Sequence, residues 1–473
     1  MTLSAVGSSL AAPTTNDLQT AIASRTPPAL KWRGKTGITI SKTKGSEFHR
    51  IRGHCHVRRP VVVSAGGRTN VVNCANGKYD ARISKSVDEL IVTQVLLDGS
   101  IAAARLTGTR VGGQRVTPGQ LGQALASARP GERLIVEPGT YADAVINLAR
   151  GGGAPGQPII IDGTSSVTFT GSTKIQIGVR HVVLRGFTFR DVGIGAVTIT
   201  ARAVRVTESS FLNCGDPQSP QAECVIVRVG GEDTELDFNT FVGSRSMSIK
   251  IRAGSNGARD QPVNAFIHHN VFRDIARLSS NGQEPIQIAG PNGGESRALL
   301  RARIEHNLFY RAEGDREAVS MKTPGTTLRW NVFRDMDAAP NIRGSRDAVV
   351  AHNLLIRTRP IRVNGSNHRI ESNLMLCPSS GVGLVVSHGS PGYEAAANSL
   401  IHDNIIATRR VGILFAAQTR PIESMAQGNK VSSNMFHLPK SRPMYEIRPA
   451  DMEKKINGDN NFAASRRGPD LCS

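Results

Sequence analysis

Asp315 and Glu317 stand two residues apart in Ala312-Glu-Gly-Asp-Arg-Glu-Ala-Val-Ser-Met-Lys322. In an extended chain successive side chains alternate between faces, so both carboxylates project from the same side. The preceding run, Asn281-Gly-Gln-Glu-Pro-Ile-Gln-Ile-Ala-Gly290, adds Asn281 and Glu284. These four residues form an oxygen-rich set suited to Ca²⁺, a hard cation that takes carboxylate and amide oxygens. Taken alone, an acidic pair on a strand is more often solvated surface. Lys322 and Arg343 lie 21 positions apart, and Arg362 follows 19 later. In a chain that coils with about that period, residues one turn apart stack at steps of about 4.8 Å, and the three cations make an outward column beside the acids. Without an anion to compensate it, such a ladder is simply a solvated basic face.

This set has the parts needed for elimination across a uronic-acid glycosidic bond. Abstraction of the sugar's C5 proton places charge on its carboxylate, which a bound cation stabilises. A lysine with a lowered pKa can take the proton. A nearby arginine stabilises the leaving oxygen, although a guanidinium with a pKa above about 12 is a poor literal acid. Arg297, Arg301 and Arg303 form a further basic patch, read either as groove or as solvated surface. His306 and His352 share one repeat position, which points to a structural role. Neither HExxH nor any zinc spacing occurs, and no phosphate-loop or dinucleotide fingerprint is present.

The elements that must position these side chains are set by an internal repeat. A polar residue recurs between apolar neighbours at Thr188, Ser210, Asn239, Asn270, Asn307, Asn331, Asn353, Asn373, Asn404 and Asn434. Its short steps cluster near 22, about one three-strand coil of a parallel β-helix, and longer steps are inserted loops. An inward asparagine at each turn can bond turn backbone and the equivalent asparagine one coil away, while the following Val, Leu or Phe fills the interior. Thr117 to Arg129 reads as a short amphipathic capping helix, followed by strands at Arg133–Glu137 and Pro158–Asp162. The expected fold is all-β: a right-handed, single-stranded parallel β-helix over residues 117–440 with that N-terminal helix. Residues 441–473 are expected to be a C-terminal tail or cap. Residues 1–116 fit the register less well and read as an N-terminal extension or extra coils. They include a basic stretch with Lys42-Thr-Lys-Gly45 and Arg58-Arg59.

Composition fits this picture. Of 473 residues 39% are hydrophobic, enough for a sizeable core, and only 4% are aromatic, so thin layers of Val, Ile, Leu and Ala are expected. The formal charge of +20 favours a polyanionic partner. No nucleic-acid recognition motif accompanies it, so specific nucleic-acid binding is not expected. No stretch nears the roughly 18 to 20 apolar residues of a membrane span, and the first residues lack the marks of a secretory signal. Six cysteines without a CxxC pair are too sparse for a disulfide scaffold. Cys214 and Cys224 could close a local loop, with buried or free thiols the commoner outcome.

From Asn281 to Met375 the chain resembles polysaccharide lyase family 6, which includes alginate lyases and chondroitinase B. The resemblance rests on the Asn281–Gly290 run, on Glu305-His-Asn-Leu-Phe with Gly314-Asp-Arg-Glu-Ala-Val-Ser-Met-Lys, and on Asn341-Ile-Arg-Gly344. It implies Lys322 as base, Arg343 as acid, and Asp315, Glu317 and Asn281 as Ca²⁺ ligands with Glu284 as a second-choice ligand. Arg362, Arg297 and Arg303 are candidates to contact substrate. Where the family commonly has His after the matched Arg, this chain has Gly344. The expected function is Ca²⁺-assisted β-elimination of an anionic polysaccharide, alginate first, by a monomer outside the cell or in the periplasm. A dermatan- or chondroitin-type lyase, a C5-epimerase and a non-catalytic carbohydrate-binding β-helix are the competing readings.

Overall fold

The computed structural model describes residues 13–32, 41–44, 48–56, 60–65, 68–84, 89–107, 112–254, 263–290, 297–448, 460–462 and 465–472. Gly45, Arg58 and Arg59 lie outside these ranges. The chain divides into two compact units, Met1–Val111 and Gly112–Ser473.

In the first unit, helix Thr15–Ala23 is closed by a reciprocal Thr14–Asp17 capping box. Its strands form a five-stranded sheet and a three-stranded sheet. Pairing is antiparallel except for Leu30–Trp32 on Ile101–Ala103. Ile51, Val61, Val63, Tyr79, Leu90 and Val92 share one core.

The second unit is a parallel β-helix. Leu121–Ser127 forms its short helix and buries Leu121, Ala124 and Leu125. Each coil then lays down three strands, one on each of three faces. The first face is a twelve-stranded parallel sheet running from Val145–Leu148 to Tyr445–Ile447. A chain that returns to the same face once per coil can satisfy its backbone only through the coils before and after it. Successive strands on this face therefore pair in parallel.

That register is held at the corner between the second and third faces. Asn239, Asn270, Asn307, Asn331, Asn353, Asn373, Asn404 and Asn434 form a continuous ladder, each amide donating to the next side-chain oxygen at 2.9–3.1 Å. Each ladder oxygen also accepts the preceding asparagine's backbone N–H at 2.9–3.0 Å. The ladder fades at one end into Ser209, not Ser210: Thr188, Ser210 and Thr240 are register partners, which puts Ser209 beneath Asn239. The residue before each asparagine is left-handed, including bulky Phe238, His269, His306, Trp330 and His352 at φ 54–58°. Such residues resist this conformation by about 1–2 kcal/mol each. The ladder bonds offset that cost, as does the stacking of the four rings from His269 to His352 with centroids 5.0–6.1 Å apart. His306 and His352 are thus structural. Burial holds His306 well below the usual imidazole range.

Inside the coils, Phe189, Phe211, Phe241, Phe272, Phe309 and Phe333 stack at 4.5–5.0 Å and nearly parallel. Residues 441–473 are no loose tail where described: Tyr445–Ile447, Asn461–Phe462 and Arg466–Gly468 each add to one face. The cysteines correct the expectation of thiols. All six pair, as Cys55–Cys74, Cys214–Cys224 and Cys377–Cys472.

Asn331→Ala leaves the buried Asn307 backbone N–H without its acceptor, while the Asn307 side-chain amide keeps the Ile267 and Glu305 carbonyls, a loss of about 1–3 kcal/mol. Urea unfolding should show it, whereas a change within about 0.5 kcal/mol, the range of ordinary surface substitutions, would mean that the ladder does not hold the coils.

Candidate active site

On the first face, Gln287, Ser320, Asn341 and Arg362 are successive register partners. Their neighbours Ile288, Met321, Ile342 and Val363 are fully buried, so the alternate positions form the outer column. Two residues beyond Ser320 stands Lys322, and two beyond Asn341 stands Arg343. Because Met321 pairs with Ile342, Lys322 and Arg343 sit on adjacent coils with one strand spacing between them. Arg362 corrects the expected three-cation column: it pairs with Asn341 and belongs to the neighbouring column.

Arg343 and Gly344 together oppose Asn364, since the register resumes at Ser345–Gly365 after Ile342–Val363. This is a β-bulge, and Gly344 supplies the required left-handed residue at φ +59°. It turns Arg343 out of the regular ladder. There the guanidinium lies 3.9 Å from Glu317 and 4.7 Å from the centroid of the Tyr393 ring.

The acids gather beneath. Glu317 accepts from Ser320 Oγ on one oxygen and from Asn341 Nδ2 on the other. Asp315 accepts the Glu317 N–H at 3.0 Å and the Gly282 N–H at 3.2 Å. Glu284 is buried and accepts from Gln287 Nε2 at 2.7 Å. Burial, reinforced by the Asp315 and Glu317 charges, pushes its carboxyl up to about 7. Burial also raises Asp315. Three oxygens here, on Glu284, Gln287 and Asn341, are buried without a hydrogen-bond partner. Repelling carboxylates beside orphaned amide oxygens are a donor set that fits a hard divalent cation. Asn281 is exposed and adjoins this group through Gly282.

Other candidates lie elsewhere. Arg303 stands on the second face, bonded to Glu305 at 3.2 Å and 3.8 Å above the Phe266 ring. It therefore shares no sheet with Lys322. Arg297 is exposed, and its carbonyl accepts from Arg346, three residues beyond Arg343. Among the described residues, Glu235, Asp237 and His268 bring three ligand atoms within 4.8 Å of one another. Arg205 already pairs with both acids of that trio, 2.9 Å from Asp237 and 3.6 Å from Glu235. The acids beside Lys322 do not reach that spacing. Sequence reasoning missed Lys250, a buried lysine that pairs with Gln287 and feels Glu223, Glu284 and Lys322, its ammonium disfavoured chiefly by burial. The step of 37 positions from Lys250 to Gln287, well beyond one short coil, hid the stacking, although the alternation in Ser248-Ile-Lys-Ile-Arg252 was there to be read.

The sequence model of the chondroitinase B family matches residues 117–453, the whole stretch that carries these columns. The chain belongs to the chondroitinase B family. As a member of that family it is an enzyme, a polysaccharide lyase. Its fold is similar to that of the family 6 polysaccharide lyase Pedsa3628 from Pseudopedobacter saltans, at 15% identity and TM-score 0.62, covering 76% of this chain and 93% of that one. The family 6 alginate lyase AlyGC is similar at 22% identity and TM-score 0.62, covering 76% of this chain and 53% of that one. A mannuronic-acid-specific family 6 lyase from human gut microbiota is similar at 19% identity and TM-score 0.60, covering 75% and 91%. No curated protein matches the sequence.

In this chondroitinase B family chain the raised Glu284 carboxyl links stability to pH. Its folded value, about 7, lies above the ordinary 4.5, so between these the folded state holds the extra proton and stability falls as pH rises. In the presence of chelator, urea unfolding at pH 5 and pH 7.5 should show that loss. Glu284→Gln should flatten it, and an unchanged slope in the variant would assign the effect elsewhere.

Proposed function

We propose that the chain cleaves a uronate polysaccharide, alginate, by β-elimination between Lys322 and Arg343. The observation that carries this is the pairing of Met321 with Ile342, which puts a lysine and an arginine side by side above buried carboxylates. The Lys322 amine nitrogen takes the C5 proton. The C–H electrons form the C4–C5 double bond, the C4–O glycosidic bond breaks, and the leaving oxygen gains a proton from solvent. Arg343 stabilises charge on that oxygen as it develops. Arg362 and, at the rim, Arg297 meet the carboxylates of neighbouring sugars. Asn281, Glu284, Asp315 and Glu317 would hold Ca²⁺, with the orphaned oxygens of Gln287 and Asn341 within the same donor set. Bound there, Ca²⁺ supplies the positive charge that holds the substrate carboxylate and favours loss of the C5 proton.

Alginate is favoured by the similar structures described as alginate lyases and as mannuronic-acid specific. Three disulfides favour an oxidising location, extracellular or periplasmic, where a polymeric substrate would also be met.

Alginate and dermatan sulfate, each with Ca²⁺ or chelator, should be incubated with the protein while unsaturated-uronate absorbance is followed. A Ca²⁺-dependent rise on alginate is expected. A rise on dermatan sulfate alone would overturn the substrate, and binding without a rise on either would overturn the elimination. Lys322→Ala should lower kcat by about 10²–10⁴-fold, the usual worth of a general base, with binding retained.

A further inference from the structure

Arg343 is held by more than its carboxylate. Glu317 approaches only to 3.9 Å, whereas the Tyr393 ring covers the guanidinium at 4.7 Å. Tyr393 also lies near enough to Arg362 for the two to interact electrostatically.

The loop that carries Tyr393 is built to hold it there. Strand Val382–His388 lies one coil beyond Ile361–Ser366, and the chain then reverses through Ser390-Pro391-Gly392-Tyr393. Ser390 and Tyr393 exchange both backbone hydrogen bonds, at 2.8 and 3.0 Å. Pro391 presets the first central position, and Gly392 at φ +77° takes the second, which demands a positive φ. On one side Gly389 exchanges backbone bonds with the 423–424 segment. On the other, Asn364 Nδ2 donates to the Glu394 carbonyl at 2.9 Å. Asn364 is the residue opposite the Arg343–Gly344 bulge. The bulge that turns Arg343 outward and the hairpin that caps it are therefore fastened to each other through one asparagine.

We propose that Tyr393 is a positioning residue for the elimination, its ring fixing the Arg343 guanidinium toward the leaving oxygen. This rests on the reading that Arg343 acts in the reaction. A cation over a ring face is attracted by the ring's quadrupole, and the hydroxyl is not needed for that attraction. A guanidinium freed from the ring samples many orientations. Transition-state stabilisation then suffers while substrate binding, spread over other groups, does not.

Steady-state kinetics on alginate with Ca²⁺ would test this for Tyr393→Leu, Tyr393→Phe, Arg343→Ala and the Arg343→Ala/Tyr393→Leu double variant, with circular dichroism confirming the fold. Tyr393→Leu should lower kcat about tenfold, the rate equivalent of one cation–π contact, and leave KM within about threefold. Tyr393→Phe should keep near-full kcat, and Tyr393→Leu should cost nothing more once Arg343 is gone. A Phe variant as impaired as Leu, a Leu variant with full kcat, or additive losses in the double variant would each overturn the proposal. Tyr393→Asn serves in place of Leu should that variant not fold. Full turnover by Arg343→Ala would instead overturn the underlying role of Arg343.

Discussion

Coil-to-coil register is the constraint on which everything else depends, and the buried asparagine ladder is what holds it. Each rung satisfies a backbone N–H and a side-chain amide at once, and in a dry corner neither group has water to turn to. A slip of one residue would orphan every rung and turn each strand's inner side chains outward. The same ladder stabilises left-handed Phe238, His269, His306, Trp330 and His352, residues that would otherwise avoid the corner. Because the ladder is rigid, residues 21 apart on the first face come to adjacent coils. Lys322 and Arg343 meet for that reason.

The first face concentrates charge that the core could not carry. Glu284 is buried beside Asp315 and Glu317, and its carboxyl is pushed up to about 7. Around these acids stand Lys250, Lys322, Arg343 and Arg362. Much of the acids' hydrogen bonding is met by Ser320, Gln287, Asn341 and backbone, yet three oxygens stay without partners. Open buried acceptors cost stability. Openness of this kind, on the same face as a lysine and an arginine, supports the proposal that a cation and an anionic sugar bind there.

The fold was legible because asparagines and their apolar followers repeat at coil spacing, a signal that survives insertions. The adjacency of Lys322 and Arg343 was legible because no loop intervenes between their coils. Arg362 was misplaced because a 19-residue step was accepted as a full coil, whereas the pairing of Asn341 with Arg362 keeps 21. The bulge at Gly344 also shifts the register of the strand beyond Arg343. Ser210 was one residue out because two serines are adjacent there and only hydrogen bonding distinguishes them. Arg303 reads either as groove or as solvated surface because sequence shows a cation but not which of three faces bears it. Lys250 lay behind an inserted loop, and Tyr393 arrives from a hairpin 50 positions beyond Arg343. Disulfide connectivity, with Cys377 and Cys472 separated by 95 residues, cannot be read from spacing.

The most direct measurement is a crystal structure of the Lys322→Ala protein soaked with Ca²⁺ and a mannuronate oligosaccharide. The account predicts a sugar across the first face, its carboxylate over Glu284, Asp315 and Glu317, its C5 hydrogen toward the space left by the lysine amine, and Arg343 at the glycosidic oxygen. An oligosaccharide seated on another face, or with C5 turned away from residue 322, would contradict it.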